Sequence, residues 1–303
     1  MNIRSLLKRT EPHQPIEVGR VSWLRNLEEA LAEADRTGYP VFALFQEVPG
    51  CAGCKQFGAD VLSNPVIVDA IESEFVPLMI RNNADGGHDA EVLARYGEPA
   101  WNFQVVRFLD ADGLDVIERR DRVWETGPLA TRMIEAMEST GRPAPAWFKL
   151  IEAEYSDRLQ MLHLAQGCFW VGEMELGQID GVVVTQAAFM NGHEITSVLF
   201  DPDVINPADL VQEGVRRRVA SAVFAEGQIY DDLRSAGVPV EPADYRRHRV
   251  APDRDQKRQL SSVSGLDDLT PAQLTKLNGF LPVSANAADH FLSPSQRERL
   301  RRG

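Results

Sequence analysis

Three cysteines carry the reactive chemistry of this 303-residue chain: Cys51 and Cys54 in VPGCAGCKQF, and Cys168 in QGCFWVGEMEL. The thiolate is the nucleophilic form of cysteine, and a helix N-terminus stabilises it through its dipole and free backbone amides. Two thiols one turn apart at such a place can exchange as attacking and resolving partners, with Cys51 exposed and Cys54 behind it. Pro49, Gly50 and Gly53 predict a shaped, exposed loop around the pair. A tetrahedral zinc site needs two more ligands, and neither a second CxxC nor an HxxxH pair is present. No metal or cofactor is expected. Three cysteines close no disulfide framework, which favours a reducing compartment.

The elements that must position these thiols follow from periodicity. WLRNLEEALAEADRTG has helical spacing and ends in glycine, and YPVFALFQEV is a short apolar strand, so the CxxC follows a strand and opens the helical KQFGADVLSNPVIVDAIESEF, broken near Ser63-Asn64-Pro65. FVPLMIRNN predicts a second strand, VVRFLDADGLDVIERRD a hairpin turning at Asp112-Gly113, and GPLATRMIEAMEST a closing helix. The proline-rich GRPAPA places a boundary near residue 150, dividing the chain into domains 1–150 and 151–303. Beyond it RLQMLHLAQ predicts a strand, FWVGEMEL a short helix, VVVTQAAF and ITSVLFDP two strands, and PADLVQEGVRRRVASAVF one long amphipathic helix. The tail from about residue 261 predicts two helices, opened by Thr270-Pro271 and Ser293-Pro294 and packed across the domains.

With 44% hydrophobic residues, the chain can bury a sizeable core in each of two domains. The start, MNIRSLLKRTEPHQP, lacks the apolar stretch of a secretory signal, and no segment approaches the apolar length of a membrane span. A soluble cytoplasmic protein is expected. A net charge of −13 argues against nucleic acid or an anionic membrane as partner, and the basic runs RRHR and RERLRRG predict solvated helix faces.

The order strand, CxxC, helix, strand, hairpin, helix over residues 20–140 resembles the thioredoxin fold, an α/β class. Gly-Cys-Ala-Gly-Cys stands where that family has Trp-Cys-Gly-Pro-Cys, and Gln104 stands where thioredoxins carry a cis-proline. Gly167-Cys168-Phe169-Trp170, with Glu173 in the next turn and a GHE-strand-FDP segment downstream, resembles the A-type peptide methionine sulfoxide reductases over about residues 158–225. That resemblance implies an α+β, ferredoxin-like βαββα domain. It implies that Cys168 attacks the sulfoxide sulfur, that Phe169 and Trp170 hold the substrate methyl, and that Glu194, fixed by its spacing to Phe200-Asp201-Pro202, donates a proton to the oxygen. A carboxyl kept protonated in an apolar pocket suits that role. Phe189 replaces the family's tyrosine, the connection to Glu194 is shorter than the family's glycine-rich loop, and Asp244 and Tyr245 are candidates for its pocket Asp and Tyr. His193 and His248 receive no role.

Together the motifs imply reduction of methionine sulfoxide, free or in protein, by Cys168. The resulting sulfenic acid must be rescued by a thiol, and Cys51 and Cys54 are the other thiols of the chain. An external thiol reductant such as a thioredoxin system then regenerates the dithiol. Two alternatives stay open: a thiol-disulfide oxidoreductase whose second domain binds without turnover, and a redox sensor signalling through Cys168 oxidation.

Overall fold

The computed structural model describes residues 14–101 and 104–301, so most of the N-terminal segment read for a secretory signal lies outside the described residues. The chain divides into two compact units between Phe148 and Lys149.

In the first unit, α1 (Leu27–Thr37) starts at Asn26, whose side chain accepts from the Glu29 N–H, and stops at Gly38 in the left-handed conformation. Its Leu27, Ala30 and Ala34 pack on β1 (Val41–Gln46), whose residues are buried without alternation. A run of that kind marks a strand covered on both faces. It forms the centre of a three-stranded sheet, parallel to β2 (Val76–Arg81) and antiparallel to β3 (Val105–Leu109). Between β1 and β2 lie α2 (Ala52–Asp60) and α3 (Pro65–Glu74); the break between them is set by Asn64 as cap and Pro65 at the first helical position. The polar stretch after β2 holds α4 (Gly87–Tyr96), which the periodicity reading left out, and α5 (Thr126–Ser139) closes the unit. The predicted hairpin has one arm: after the turn at 110–113 the chain makes only a bridge, Leu109 to Asp115. Charged residues follow there, and Arg107 and Arg119 converge on buried Glu98. GRPAPA runs into a helix, α6 (Ala146–Glu154).

The second unit is built on β4 (Gln160–Gln166), α7 (Phe169–Gly177), β5 (Val182–Met190), β6 (His193–Phe200), α8 (Pro207–Arg216) and β7 (Ala222–Ala225). The four strands run β7-β4-β6-β5, antiparallel throughout, which is the ferredoxin-like arrangement. After α9 (Gly227–Ser235), two short strands extend the edges: β8 (Glu241–Pro242) beside β7 and β9 (His248–Val250) beside β5. The long helix expected from Pro207 ends at Arg216, and AVFA becomes β7. Arg218 takes a left-handed φ of 62°, and the apolar run pairs with β4 instead of continuing a helix. RRHR forms a short 3-10 turn and the start of β9, not a helix face. β5 and β6 join through Asn191-Gly192, φ 51° and 83°, values that a two-residue hairpin turn demands.

One face of this sheet, with Leu162, Leu164, Val198 and Phe200, packs under α7 and α8; the other carries Ala165, Ala188, Met190, Ile195 and Phe224. The tail holds α10 (Pro271–Phe280), α11 (Ala285–Asp289) and α12 (Pro294–Leu300), with capping boxes at Thr270 and Ser293. α10 is fastened within its own unit: Lys276 Nζ donates to the Ile179 carbonyl at 2.8 Å, and the Thr275 hydroxyl accepts from the Thr185 N–H at 3.1 Å. No described helix is long and apolar enough to cross a membrane.

Candidate functional site

In the first unit β1 ends at Gln46 and α2 begins at Ala52, which makes Cys51 the N-cap of α2. Cys51 is exposed and Cys54 fully buried, their sulfurs 3.3 Å apart as free thiols. The Cys54 backbone N–H pulls the Cys51 thiol below its ordinary pKa, whereas burial, then the hydrogen bond with Cys51, pushes Cys54 up to about 12. The two thiols are thus split in acidity, the exposed one being the more easily ionised. Glu47, which sequence reasoning passed over, accepts from the Cys51 N–H at 3.3 Å and from the Cys54 thiol at 3.8 Å. With both cysteines it forms the one trio of close donor atoms among the described residues, all within 4.8 Å. Gln104 has a left-handed φ of 62° and is buried, its amide 3.2 Å from where a Cβ on Gly53 would stand. The position before β3 therefore still contacts the CxxC turn, through an amide in place of a proline ring.

In the second unit Cys168 is the N-cap of α7 and partly exposed. The helix lies so close on β6 that a Cβ on Gly172 would come within 2.4 Å of the Thr196 hydroxyl oxygen, so only glycine permits this approach. The approach brings the helix N-terminus to Glu194, whose Oε2 accepts from the Phe169 N–H at 2.9 Å. Phe169 is buried, with Phe189 at 5.4 Å and Trp170 at 6.1 Å, both in edge-on geometry. Cross-strand pairing sets a row beneath them: Gln166, Glu194, Phe189 and Arg249 stand opposite one another on β4, β6, β5 and β9. Side chains directly opposite share a face. The Arg249 guanidinium covers the Phe189 ring at 4.7 Å and that of Arg258 covers Trp170 at 5.1 Å. The indole Nε1 of Trp170 is buried with no hydrogen-bond partner among the described residues.

Behind this row, Glu173 is fully buried and paired with Lys257, whose Nζ lies 2.5 Å from Oε1 and also donates to the Thr185 carbonyl. The Lys257 N–H adds a bond to Oε2 at 2.8 Å, and the Gln256 side chain bonds both backbone groups of Ala187. The segment at 256–258 thereby holds β5 and α7 together.

Of the residues predicted for this site, Cys168, Glu194, Phe169, Trp170 and Phe189 are brought together, and Tyr245 is not. Its hydroxyl bonds His163 Nε2 at 3.1 Å, and His163 Nδ1 bonds Ser197 Oγ at 2.9 Å. Ser197 is three residues from Glu194 on β6, an odd offset that puts it on the opposite face. Tyr245 therefore stands at the exposed edge of a polar cluster with buried His163 and half-buried His248 behind the sheet. Asp244 caps the turn there, accepting from the Arg246 N–H. Arg249, Arg258, Lys257 and Gln166 were missed. For Gln166, two residues before Cys168 on a strand, the alternation was a usable signal; the other three reach the site by long-range folding.

Residues 22–111 match the thioredoxin-like family model. Over an alignment of 71 residues the chain is 32% identical to the peptide methionine sulfoxide reductase MsrA of Methanothermobacter thermautotrophicus, covering 18% of this chain and 42% of that protein, so the chain spans less than half the length of this curated relative. Among solved structures, methionine sulfoxide reductase A of Corynebacterium diphtheriae has a TM-score of 0.29 at 18% identity, covering 35% of this chain and 76% of its own. The DsbH oxidoreductase has a TM-score of 0.34 at 16% identity, covering 43% and 94%. The chain joins a thioredoxin-like segment to one similar to a peptide methionine sulfoxide reductase.

Proposed function

We propose that the protein reduces methionine sulfoxide through Cys168 and restores that cysteine through the Cys51–Cys54 dithiol. The observation that carries this reading is the contact between Glu194 and the Phe169 N–H, because it puts a carboxyl beside the N-cap cysteine and next to three aromatic rings. The Cys168 thiolate attacks the sulfoxide sulfur while the Glu194 carboxyl gives the oxygen its one proton, and the hydroxyl passes to the Cys168 sulfur as its bond to the substrate sulfur breaks. The substrate leaves as the thioether and Cys168 becomes a sulfenic acid. The Cys51 thiolate attacks the sulfenic sulfur, water leaves, and a Cys51–Cys168 disulfide forms. Cys54 loses its proton and attacks Cys51, which releases the Cys168 thiolate and closes the Cys51–Cys54 disulfide. An external dithiol reductant supplies the two electrons that reopen it. The aromatic rings recognise the methyl group and exclude water from the reacting sulfur.

Phe189 favours a second reading, a thiol-disulfide oxidoreductase whose second unit binds sulfoxides without turning them over, since phenylalanine cannot donate to the sulfoxide oxygen. One assay separates the two. Dithiol-driven reduction of methyl sulfoxides should vanish in Cys168→Ser and persist in Cys51→Ser only with small-molecule thiols. Disulfide reduction that needs Cys51 but not Cys168, with no sulfoxide turnover, would establish the second reading.

A further inference from the structure

The row across the sheet continues past the residues that the proposed reaction uses. Beyond Gln166, Glu194 and Phe189 its fourth member is Arg249, and a second arginine, Arg258, covers the neighbouring ring, Trp170. Stacking on an aromatic face stabilises an exposed guanidinium modestly. It leaves the in-plane N–H donors of the fork unused, and among the described residues neither arginine has an ion-pair partner, in a chain with 45 acidic residues. Two donor forks therefore meet one aromatic cluster, Arg249 across Phe189 from the Glu194 carboxyl group and Arg258 over Trp170. Strands are spaced about 4.8 Å apart, so Glu194 and Arg249, two strands away from each other, have backbones about 10 Å apart. A sulfoxide whose oxygen meets Glu194 and whose methyl lies among the rings can lay the rest of its substituent along this row. In methionine sulfoxide the carboxyl carbon is four bonds from sulfur, roughly 5 Å, within reach of an arginine side chain extending from the far end.

We infer that Arg249 and Arg258 form an anion-binding subsite that selects sulfoxides carrying a carboxylate near the sulfoxide side chain. The inference rests on the reading of Cys168 and Glu194 given above, and adds the substrate class that this site prefers. Guanidinium and carboxylate match as planar, two-pronged partners, which a lysine would not reproduce. The carboxylate could be the α-carboxylate of the free amino acid or of a chain end, or the side chain of an adjacent acidic residue; the chemistry is shared and the test separates the sources.

The test compares N-acetylmethionine sulfoxide with its carboxamide, in two measurements on the full-length protein. The first is kcat/KM with wild-type enzyme; the second is binding by calorimetry to Cys168→Ser, which needs no turnover. The carboxylate is expected to be preferred about 10- to 100-fold in both. The preference should shrink as salt is raised, because exposed charges are screened. In Arg249→Gln/Arg258→Gln the ratio should collapse to near one, and Arg249→Lys should recover little of it. Mid-chain peptides with aspartate or asparagine after the sulfoxide then name the source: a gain for the aspartate peptide assigns side-chain carboxylates, and a gain confined to the α-carboxylate assigns the free amino acid or chain end. Equal handling of carboxylate and carboxamide, or a preference that survives in the double variant, overturns the inference. Absence of turnover with the binding preference intact overturns the proposed reaction and leaves the subsite standing.

Discussion

Cys54 and Phe189 are the residues whose surroundings make the sharpest demands on the proposed chemistry. With its thiol pushed up to about 12 by burial, Cys54 stays protonated at neutral pH while Cys51, at the helix N-terminus, reacts. Limited iodoacetamide treatment of the reduced protein should label Cys51 and spare Cys54, as read by peptide mass spectrometry. Cys54→Ser should then accumulate a disulfide to Cys51 during sulfoxide turnover, because nothing is left to resolve it. Phe189 stands directly opposite Glu194 with its ring against Phe169. Phe189→Tyr adds a hydroxyl donor at this position, and a hydrogen bond worth about 0.5–1.5 kcal/mol should raise kcat roughly 2- to 10-fold. A rate at or below wild type would mean that the new hydroxyl does not meet the sulfoxide oxygen. The motif residues Cys168, Phe169, Trp170 and Glu194 were legible because their spacing is local, whereas the misplacement of Tyr245 shows what spacing misses: it gives order along the chain but not the face of the sheet.

At the scale of elements, the site depends on α7 being held against β5 and β6. Lys257 does this from the C-terminal segment by neutralising Glu173, which is fully buried on α7. Removing one partner of a buried pair leaves a bare charge, so Lys257→Met should destabilise the second unit by about 3–5 kcal/mol, measured as a shift in urea unfolding. Adding Glu173→Leu should return most of that loss, since an apolar pair of similar volume leaves no unpaired charge behind. Failure of the double variant to recover would assign Lys257 a role beyond charge neutralisation. The sequence placed β4, α7, β5 and β6 correctly because each carries its own period and turn. It merged α8 with β7 because RRRVASAVF has apolar residues compatible with either period, and pairing with β4 decided between them.

At the scale of the whole molecule, burial of one titratable ring makes stability depend on pH. His163 lies in the second unit behind the sheet, bonded to Ser197 and Tyr245 with His248 beside it, and burial holds its pKa down to about 4. Its unfolded value is about 6.5, so the neutral ring favours the folded state. That contribution is complete above pH 6.5 and is lost as pH falls toward 4, up to roughly 3 kcal/mol. Urea midpoints measured between pH 7 and pH 4 should fall less steeply in His163→Gln than in wild type. Parallel slopes would mean that His163 does not carry the acid sensitivity.

The sequence by itself determined the two thiol motifs, the strand-to-helix junctions that hold them and the mixed α/β order, because these rest on turn chemistry and short-range hydrophobic period. Only the tertiary structure decided that Glu47 and Gln104 flank the CxxC, that Glu194 meets the Phe169 amide, that two arginines cover the aromatic walls and that Tyr245 stands behind the sheet. Each of these contacts is fixed by strand register or by chain returning from far along the sequence. Such contacts form as the core is buried, and no local pattern of residues encodes them.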